Sequence, residues 1–251
     1  MGQRHIINGV NGSPIAIGYS PAVPAGLQFI NYYGGAMPQS RNMAPDGVAA
    51  RVVGSPVVGT MAEGVLCKSH TAYIQSVVPQ SSKMTVLGVF CPTSDLRAYA
   101  ISNANGARPI GFSVYSEPSG VAGVHNLRIQ FGGVLSAGGG NGNASAAIAN
   151  AITNNVPFAF AATLDYSTLT ATKVTIKDLK KAVTQSATAS FSAAGSGSAG
   201  LMIGSELENT VYGDTRVLEM SVWNRVLTDD EIAAQYAQTQ RYYQSIHGIV
   251  I

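Results

Sequence analysis

The stretch GLMIGSELENTVYGDTRVLEMSVWNRVLTDDEIAAQY, residues 200–236, decides the fold. Its middle, VLEMSVWN, alternates Leu218, Met220 and Val222 with Glu219, Ser221 and Trp223. Successive side chains of a strand point to opposite faces, so this period of two sends one row into a core and the other towards solvent or a second layer. NRVLTDDE follows at once. Thr228 and Glu231 have the spacing of a capping box, in which each side chain satisfies a backbone N–H of the first helical turn, and Leu227 and Ile232 occupy the two positions of a hydrophobic staple. The spacing predicts a strand that hands over directly to a capped helix.

Working outward, the helix is expected over about residues 229–246, with Ile232, Tyr236, Tyr243 and Ile246 as its apolar-aromatic stripe and Gly248 as its stop. That stripe suits packing on a sheet or contact with another subunit, and Trp223 is expected beneath the helix. Upstream, GFSVYS (111–116), NLRIQF (126–131), PFAFAATL (157–164) and KVTIK (173–177) alternate as half-buried strands do, and SKMTVLGVF (82–90) is apolar on both faces, as in a central strand. Many short strands separated by Gly, Ser and Asn turns indicate a sandwich or jelly roll. Residues 132–155 read as a flexible loop with a short helix in its Ala/Ile-rich half, and residues 184–200 as a Ser/Ala/Gly-rich excursion between strands. Residues 1–25, with four glycines, three prolines and no sustained periodicity, read as an extended arm or a disordered leader, which leaves 26–251 as the sandwich with its helix.

The 200–236 run resembles the closing segment of LamG-like, concanavalin A-like jelly-roll domains. The matching residues are Ile203-Gly204, Leu218 to Val222, Trp223-Asn224-Arg225, Leu227-Thr228 and Glu231-Ile232. DGVAARVVGSPVVG (46–59), TAYIQSVV (71–78), SKMTVLGVFCP (82–92), VPFAFAATLD (156–165) and KVTIKDLKKAV (173–183) follow in the family's order. The resemblance implies an all-β, antiparallel two-sheet jelly-roll sandwich with an N-terminal extended arm and a C-terminal helix. The compact form with a helix ending in HGIVI looks most like versions in bacteriophage and prophage virion proteins, which implies a virion location and assembly in a bacterial cytoplasm.

Composition bounds the function. Only 11% of residues are charged and the net charge is +2, with Lys and Arg scattered, which argues against nucleic acid as a partner. KDLKK (177–181) is the one dense basic patch, and an exposed hairpin accounts for it. No segment approaches the length of an apolar membrane span. Pro14, Pro21 and Pro24 interrupt any signal-peptide-like stretch. Cys67 and Cys91 either form one bridge or serve as small buried hydrophobes, and nothing in the sequence decides between the two.

Concanavalin-like sandwiches include glycosidases that act through a carboxylate pair. The E-x-D-x-x-E strand motif of the laminarinase type is absent here, and Glu206 and Glu208 in SELEN read as solvated loop charges rather than a catalytic pair. Calcium is the one ion to consider, through Asp165, Glu206, Glu208, Asn209 and Asp214, although no compact D-x-[DN]-x-[DN]-G loop is present. His5, His70, His125 and His247 are dispersed. Sugar rings stack on aromatic faces, which makes Tyr99, Tyr115, Tyr166 and Tyr212 the carbohydrate candidates, with core or rim positions as the alternative. The expected function is a non-enzymatic phage tail or baseplate protein that attaches to host-surface glycans without a cofactor. The alternatives are a purely structural tail or capsid decoration protein and a polysaccharide-degrading glycosidase. Apolar residues in the arm (Ile6, Ile7, Ile15, Ile17, Val23) and the tail Ile249-Val250-Ile251 suggest contacts with neighbouring virion subunits, as in a homo-oligomer, a trimer by analogy.

Overall fold

The computed structural model describes residues 20–104, 111–195, 197, 200–206 and 212–251. In chain order its strands are β1 (Leu27–Tyr32), β2 (Arg51–Val53), β3 (Val57–Val58), β4 (Val65–Cys67), β5 (Tyr73–Gln75), β6 (Lys83–Pro92), β7 (Ala98–Ser102), β8 (Gly111–Pro118), β9 (Val124–Leu135), β10 (Asn141–Thr153), β11 (Phe158–Asp165), β12 (Thr172–Asp178), β13 (Val183–Ala189), β14 (Phe191–Ala194), β15 (Met202–Ile203) and β16 (Thr215–Trp223). A helix, α1 (Asp229–His247), follows the last strand.

The strands form two antiparallel sheets. Sheet A runs β13-β12-β11-β6-β16-β4-β3, with β1 also on β16, and sheet B runs β10-β9-β8-β7-β15-β5-β2, with β14 also on β9. Their inner faces share one core, in which Val86, Phe90, Phe160 and Met220 from sheet A meet Phe112, Val114, Ile129 and Phe131 from sheet B. This is the expected two-sheet sandwich, and β6 is central in it, between β11 and β16. Gly88 on β6 is glycine for a packing reason: a Cβ there would lie 2.9 Å from the Phe160 ring.

The two biased segments differ from expectation. Residues 132–155 hold the end of β9 and the thirteen-residue strand β10 rather than a loop and a helix, and 184–200 contain β13 and β14. Ala144, Ala146, Ile148 and Ile152 fill the core side of β10. Tertiary pairing with β9 overrides the low strand propensity of Gly, Asn and Ala.

Sheet A is buried on its outer face too. Leu87, Val89, Ala159, Ala161, Leu218 and Trp223 form a second apolar layer with Ile232 and Tyr243 of α1, Leu227, Val23 and Ile251. The expected row Leu218–Met220–Val222 is split here. A register shift between Val217 and Glu219 against β6 puts Val217, Met220 and Val222 in the sandwich core and turns Leu218 to the helix side. Such a bulge sends two consecutive residues to one face. The Tyr243 hydroxyl donates to the Leu218 carbonyl at 2.6 Å.

The helix start has both hydrogen bonds of a capping box: Glu231 N donates to Thr228 Oγ1 and Thr228 N to the Glu231 carboxylate. Arg225 then grips Glu231 through two hydrogen bonds of 2.8 and 2.7 Å, and holds the Ala25 carbonyl through Nε. Gly248, at φ 66°, closes the helix. The buried helix face is less apolar than the sequence stripe suggested, since Gln235 and Thr239 are also fully buried, and the Ile246 side chain lies outside the described residues. Residues 1–19 of the expected arm lie outside them too. Residues 20–25 run along α1, where Gln238 donates to the Ser20 carbonyl and Trp223 Nε1 to Val23 O. The tail also finds its contacts within the chain: Ile251 is buried, and its carbonyl accepts from Tyr236. Cys67 and Cys91 are free and buried, and burial pushes their thiols up to about 12 and about 11, with nearby Asp214 adding to the rise at Cys67.

Thr228→Ala should lower stability by about 1 kcal/mol, the scale of an N-cap, and Leu227→Ala by about 2–5 kcal/mol, the scale of a buried leucine truncation. Urea unfolding of both variants checks the order. Glu219 generates a second expectation. It is fully buried beneath the helix, accepts from Ser221 Oγ and faces Thr239, Tyr242 and Tyr243. Burial raises its carboxyl to about 8, against the opposing influence of the nearby Thr239 hydroxyl and the hydrogen bond from Ser221. The folded state thus holds a proton that the unfolded chain releases at the ordinary glutamate value. This contribution to stability is complete below the unfolded pKa and is lost as pH rises through about 8. Glu219→Gln should flatten that loss, a difference of a few kcal/mol at pH 9 that chemical denaturation at pH 5 and pH 9 would read.

Candidate functional site

The outer face of sheet A is occupied by α1, so the candidate surface lies on the outer face of sheet B. Strand alternation builds it. Leu127, Ile129 and Phe131 of β9 enter the core, which turns Asn126, Arg128 and Gln130 outward. Antiparallel register then sets Tyr99 of β7 beside Tyr115 of β8, Tyr115 beside Arg128, and Arg128 beside Ala147 of β10. A single rung across four strands thus carries two tyrosines and an arginine.

Ion pairs and ring contacts fix these groups. Glu117, at the end of β8, takes Arg97 Nη2 at 2.6 Å on one carboxylate oxygen and lies 2.5 Å from Arg128 Nε on the other. The Arg97 guanidinium sits 4.9 Å from the centroid of Tyr115 and 5.5 Å from that of Tyr212. Tyr99 packs 5.2 Å from both rings, and the Tyr115 hydroxyl donates to Gln130 Oε1 at 2.9 Å. Partial burial works against the charge of Arg97, yet the Tyr99 and Tyr115 phenols and the Glu117 carboxylate outweigh it and push its pKa above the usual arginine value. The tyrosines form the floor, with Tyr99 and Tyr115 each 3% exposed. The side chains of Arg97 (31%), Arg128 (36%) and Glu117 (24%) form the surface.

Of the four carbohydrate candidates, the structure brings Tyr99, Tyr115 and Tyr212 together. Tyr166 is elsewhere, stacked on Phe131 at 4.9 Å, where its hydroxyl accepts from Gln80. Sequence reasoning missed Arg97, Glu117, Arg128 and Gln130. The outward row of NLRIQF was the available signal, but nothing in the sequence pairs it with Tyr115.

Two of the calcium candidates, Asp165 and Glu206, have side chains held by protein partners. Asp165 accepts from the Ser167 backbone and hydroxyl and pairs with Lys83. Glu206 is fully buried rather than solvated, 3.0 Å from His70 Nε2 and bonded by Ser69 Oγ. Beside it, Ser205 Oγ accepts from the His70 backbone N–H, which ties this segment to the Lys68–Ala72 turn. The Asp214 carbonyl accepts from Thr93. Glu208 and Asn209 lie outside the described residues. No three His, Cys, Asp or Glu side chains come together as a metal-binding group among the described residues. A second concave feature, about 430 Å³, lies where β11–β13 emerge from under the helix start, lined by Thr163, Thr175, Ser186, Lys173 and the Lys177–Asp229 pair.

No family model matches the chain, and no curated protein matches it. Solved structures do. The binding domain of botulinum neurotoxin DC in complex with SialylT is 11% identical at a TM-score of 0.57, over 86% of this chain and 52% of that one. The same binding domain in complex with rat synaptotagmin II is 10% identical at a TM-score of 0.53, over 87% and 53%. The binding domain of Paraclostridial Mosquitocidal Protein 1 is 11% identical at a TM-score of 0.50, over 88% and 53%. The chain therefore spans about half the length of these structures and shares their fold.

Tyr115→Phe should cost about 1 kcal/mol, the usual net value of a hydrogen bond, because it leaves Gln130 Oε1 without this donor. Guanidinium unfolding of the variant beside wild type measures it.

Proposed function

We propose that this chain is a non-enzymatic attachment module that binds acidic surface glycans through the outer face of sheet B. The observation that carries the reading is the convergence of Arg97, Arg128, Glu117 and Gln130 over a floor of Tyr99, Tyr115 and Tyr212. Two guanidinium groups against one carboxylate leave a net positive surface, and a guanidinium fork matches a sugar carboxylate in two hydrogen bonds. Glu117 and the ring contacts hold both arginines in place before a ligand arrives, which lowers the entropy lost on binding. The planar amide of Gln130 suits neighbouring hydroxyls.

The solved structures support a binding role by analogy of fold, since all three are binding domains and one is in complex with SialylT. The non-enzymatic reading draws on the missing carboxylate-strand motif and on Glu206, whose carboxylate faces His70 and Ser69 instead of a cleft. The setting we favour is a phage tail or baseplate, resting on the resemblance of the 200–236 run to virion jelly rolls.

A glycan array containing sialylated and uronic-acid oligosaccharides, each beside a neutral counterpart, tests the reading. Binding should favour the acidic members, and Arg128→Ala should weaken it at least about tenfold, the scale of losing one charge-assisted hydrogen bond, with unchanged thermal unfolding. Equal binding by wild type and Arg128→Ala, or binding confined to neutral sugars, would overturn it.

A further inference from the structure

Every open sheet ends in strands whose outer N–H and C=O groups lack a partner, and proteins guard such edges with charge, proline, bulges or brevity. Two of the four ends of this sandwich are guarded by brevity. β2 and β3 are only three and two residues long, and β2 carries Arg51. β13, seven residues long, carries no charge or proline of its own and pairs with β12, where Lys173 and Lys177 stand opposite Thr188 and Thr184. β10 is thirteen residues long, NGNASAAIANAIT, with no charged residue and no proline. It pairs with β9 on one side, and among the described residues no strand pairs with its other side. Its register shift comes late, between Ile148 and Ile152, which leaves Asn141–Ile148 as a regular ladder. The outward side chains there are small: Asn141, Asn143, Ser145 and Ala147, all exposed.

We infer that the free edge of β10 pairs with the same edge of a second copy of this chain, joining two B sheets into one continuous antiparallel sheet. Three observations select a second copy as the occupant. An antiparallel edge is self-complementary under two-fold rotation, which is the commonest symmetry of soluble oligomers. The uncharged edge offers nothing that would repel its own image. The outward residues Asn141, Asn143, Ser145 and Ala147 are small, so they would not hold a second strand away from the edge. The register is limited as well. Ala144, Ala146 and Ile148 face the core, and the core rows of both copies must stay on one face, so residues of like facing must stand opposite each other. Within Asn141–Ile148 the two-fold axis therefore passes through Ala144 or Ser145. In either case Ser145 of one copy stands opposite Ser145 or Asn143 of the other. The ladder is ~27 Å long and the two sheets ~10 Å apart, so the contact buries only several hundred Å² per copy. That is the size of a weak, reversible interface.

This pairing would deepen the glycan reading, on which the next step rests. Ala147 of β10 is in register with Arg128 of β9. Two joined copies would thus present their Arg128 side chains on one face, three strand spacings apart laterally and ~20 Å or ~25 Å apart overall, for the Ser145 and Ala144 axes respectively. A weak glycan contact would become a bivalent one.

Sedimentation equilibrium of the full chain, from ~1 to ~500 µM without any glycan, tests the pairing independently of ligand. A weak, reversible monomer–dimer equilibrium is expected, with the dimer fraction rising across this range. Asn143→Lys combined with Ser145→Lys sets like charges opposite each other in both allowed registers, and should weaken dimerisation at least tenfold while circular dichroism and thermal unfolding match wild type. Val57→Glu with Val58→Glu, at the opposite edge of the sandwich, should dimerise normally. On mild oxidation, Ser145→Cys alone should form an interchain disulfide if the axis passes through Ser145, and a mixture of Ser145→Cys with Asn143→Cys should do so if it passes through Ala144. A monomer across the whole range, or a trimer or dimer insensitive to the two lysines, overturns the inference. Arg128→Ala should dimerise as wild type does, so failure of the glycan reading shows on the array alone and failure of this one in the measured mass alone.

Discussion

Sheet A carries apolar side chains on both faces, and the helix is what keeps the outer face out of water. Leu87, Val89, Leu218 and Trp223 would otherwise form an exposed patch on the central strands. The capped start of α1, the Arg225–Glu231 grip, the Tyr243 bond to Leu218 and the Trp223 bond to Val23 all serve to hold that cover in place. Ala159 and Ala161 of β11 contribute by being small, which lets the helix lie close. With one outer face committed to internal packing, sheet B is left as the broad face on which recognition can be built.

The cover is not purely apolar. Glu219 and Ser221 of β16 face Gln235 and Thr239 of α1 in a fully buried layer, and Glu219 Oε2 together with both Gln235 side-chain heteroatoms has no hydrogen-bond partner. Burying such groups costs stability unless they are satisfied, so this seam is the weakest part of an otherwise apolar contact. The Arg97–Glu117–Arg128 cluster on sheet B shows the opposite arrangement. Its charges remain about a third exposed, pair with one another, and rest on rings. Polar groups are expensive in the first place and inexpensive in the second.

Much of the fold could be read in the sequence because its signals are local. Period-two rows such as Leu127, Ile129 and Phe131, the two-sided apolar run of β6, and the Thr228–Glu231 spacing each act within a few residues. The segments that escaped reading are those in which partners far along the chain decide the conformation. β10 is a strand because β9 lies beside it, although its Gly, Asn and Ala content argues otherwise. The bulge that turns Leu218 away from Met220 is set by mismatch with β6 and leaves no trace in the alternation of VLEMSVWN. The candidate site divides in the same way. Tyrosines stand out as a residue type, so Tyr99, Tyr115 and Tyr212 could be named. Arg97 and Arg128 acquire meaning only through register and a loop approach that bring them to Glu117.

The position of β16 also governs the order in which the molecule can be assembled. It is the strand that joins β6 to both β1 and β4, so the middle of sheet A is made from segments near opposite ends of the chain, with Tyr32 paired to Glu219 and Phe29 to Val222. Until β16 emerges from the ribosome, β1 has no strand partner among the described residues and β6 has an open side, with Leu87 and Val89 uncovered. Contacts so distant in sequence are slow to form, because the loop-closure entropy must be met before they are rewarded. Sheet B has a different history: β7, β8, β9 and β10 are consecutive hairpins that can pair as they are made. Synthesis thus delivers a half-built sandwich in which the β7–β10 hairpins can already pair while its helical side waits for β16.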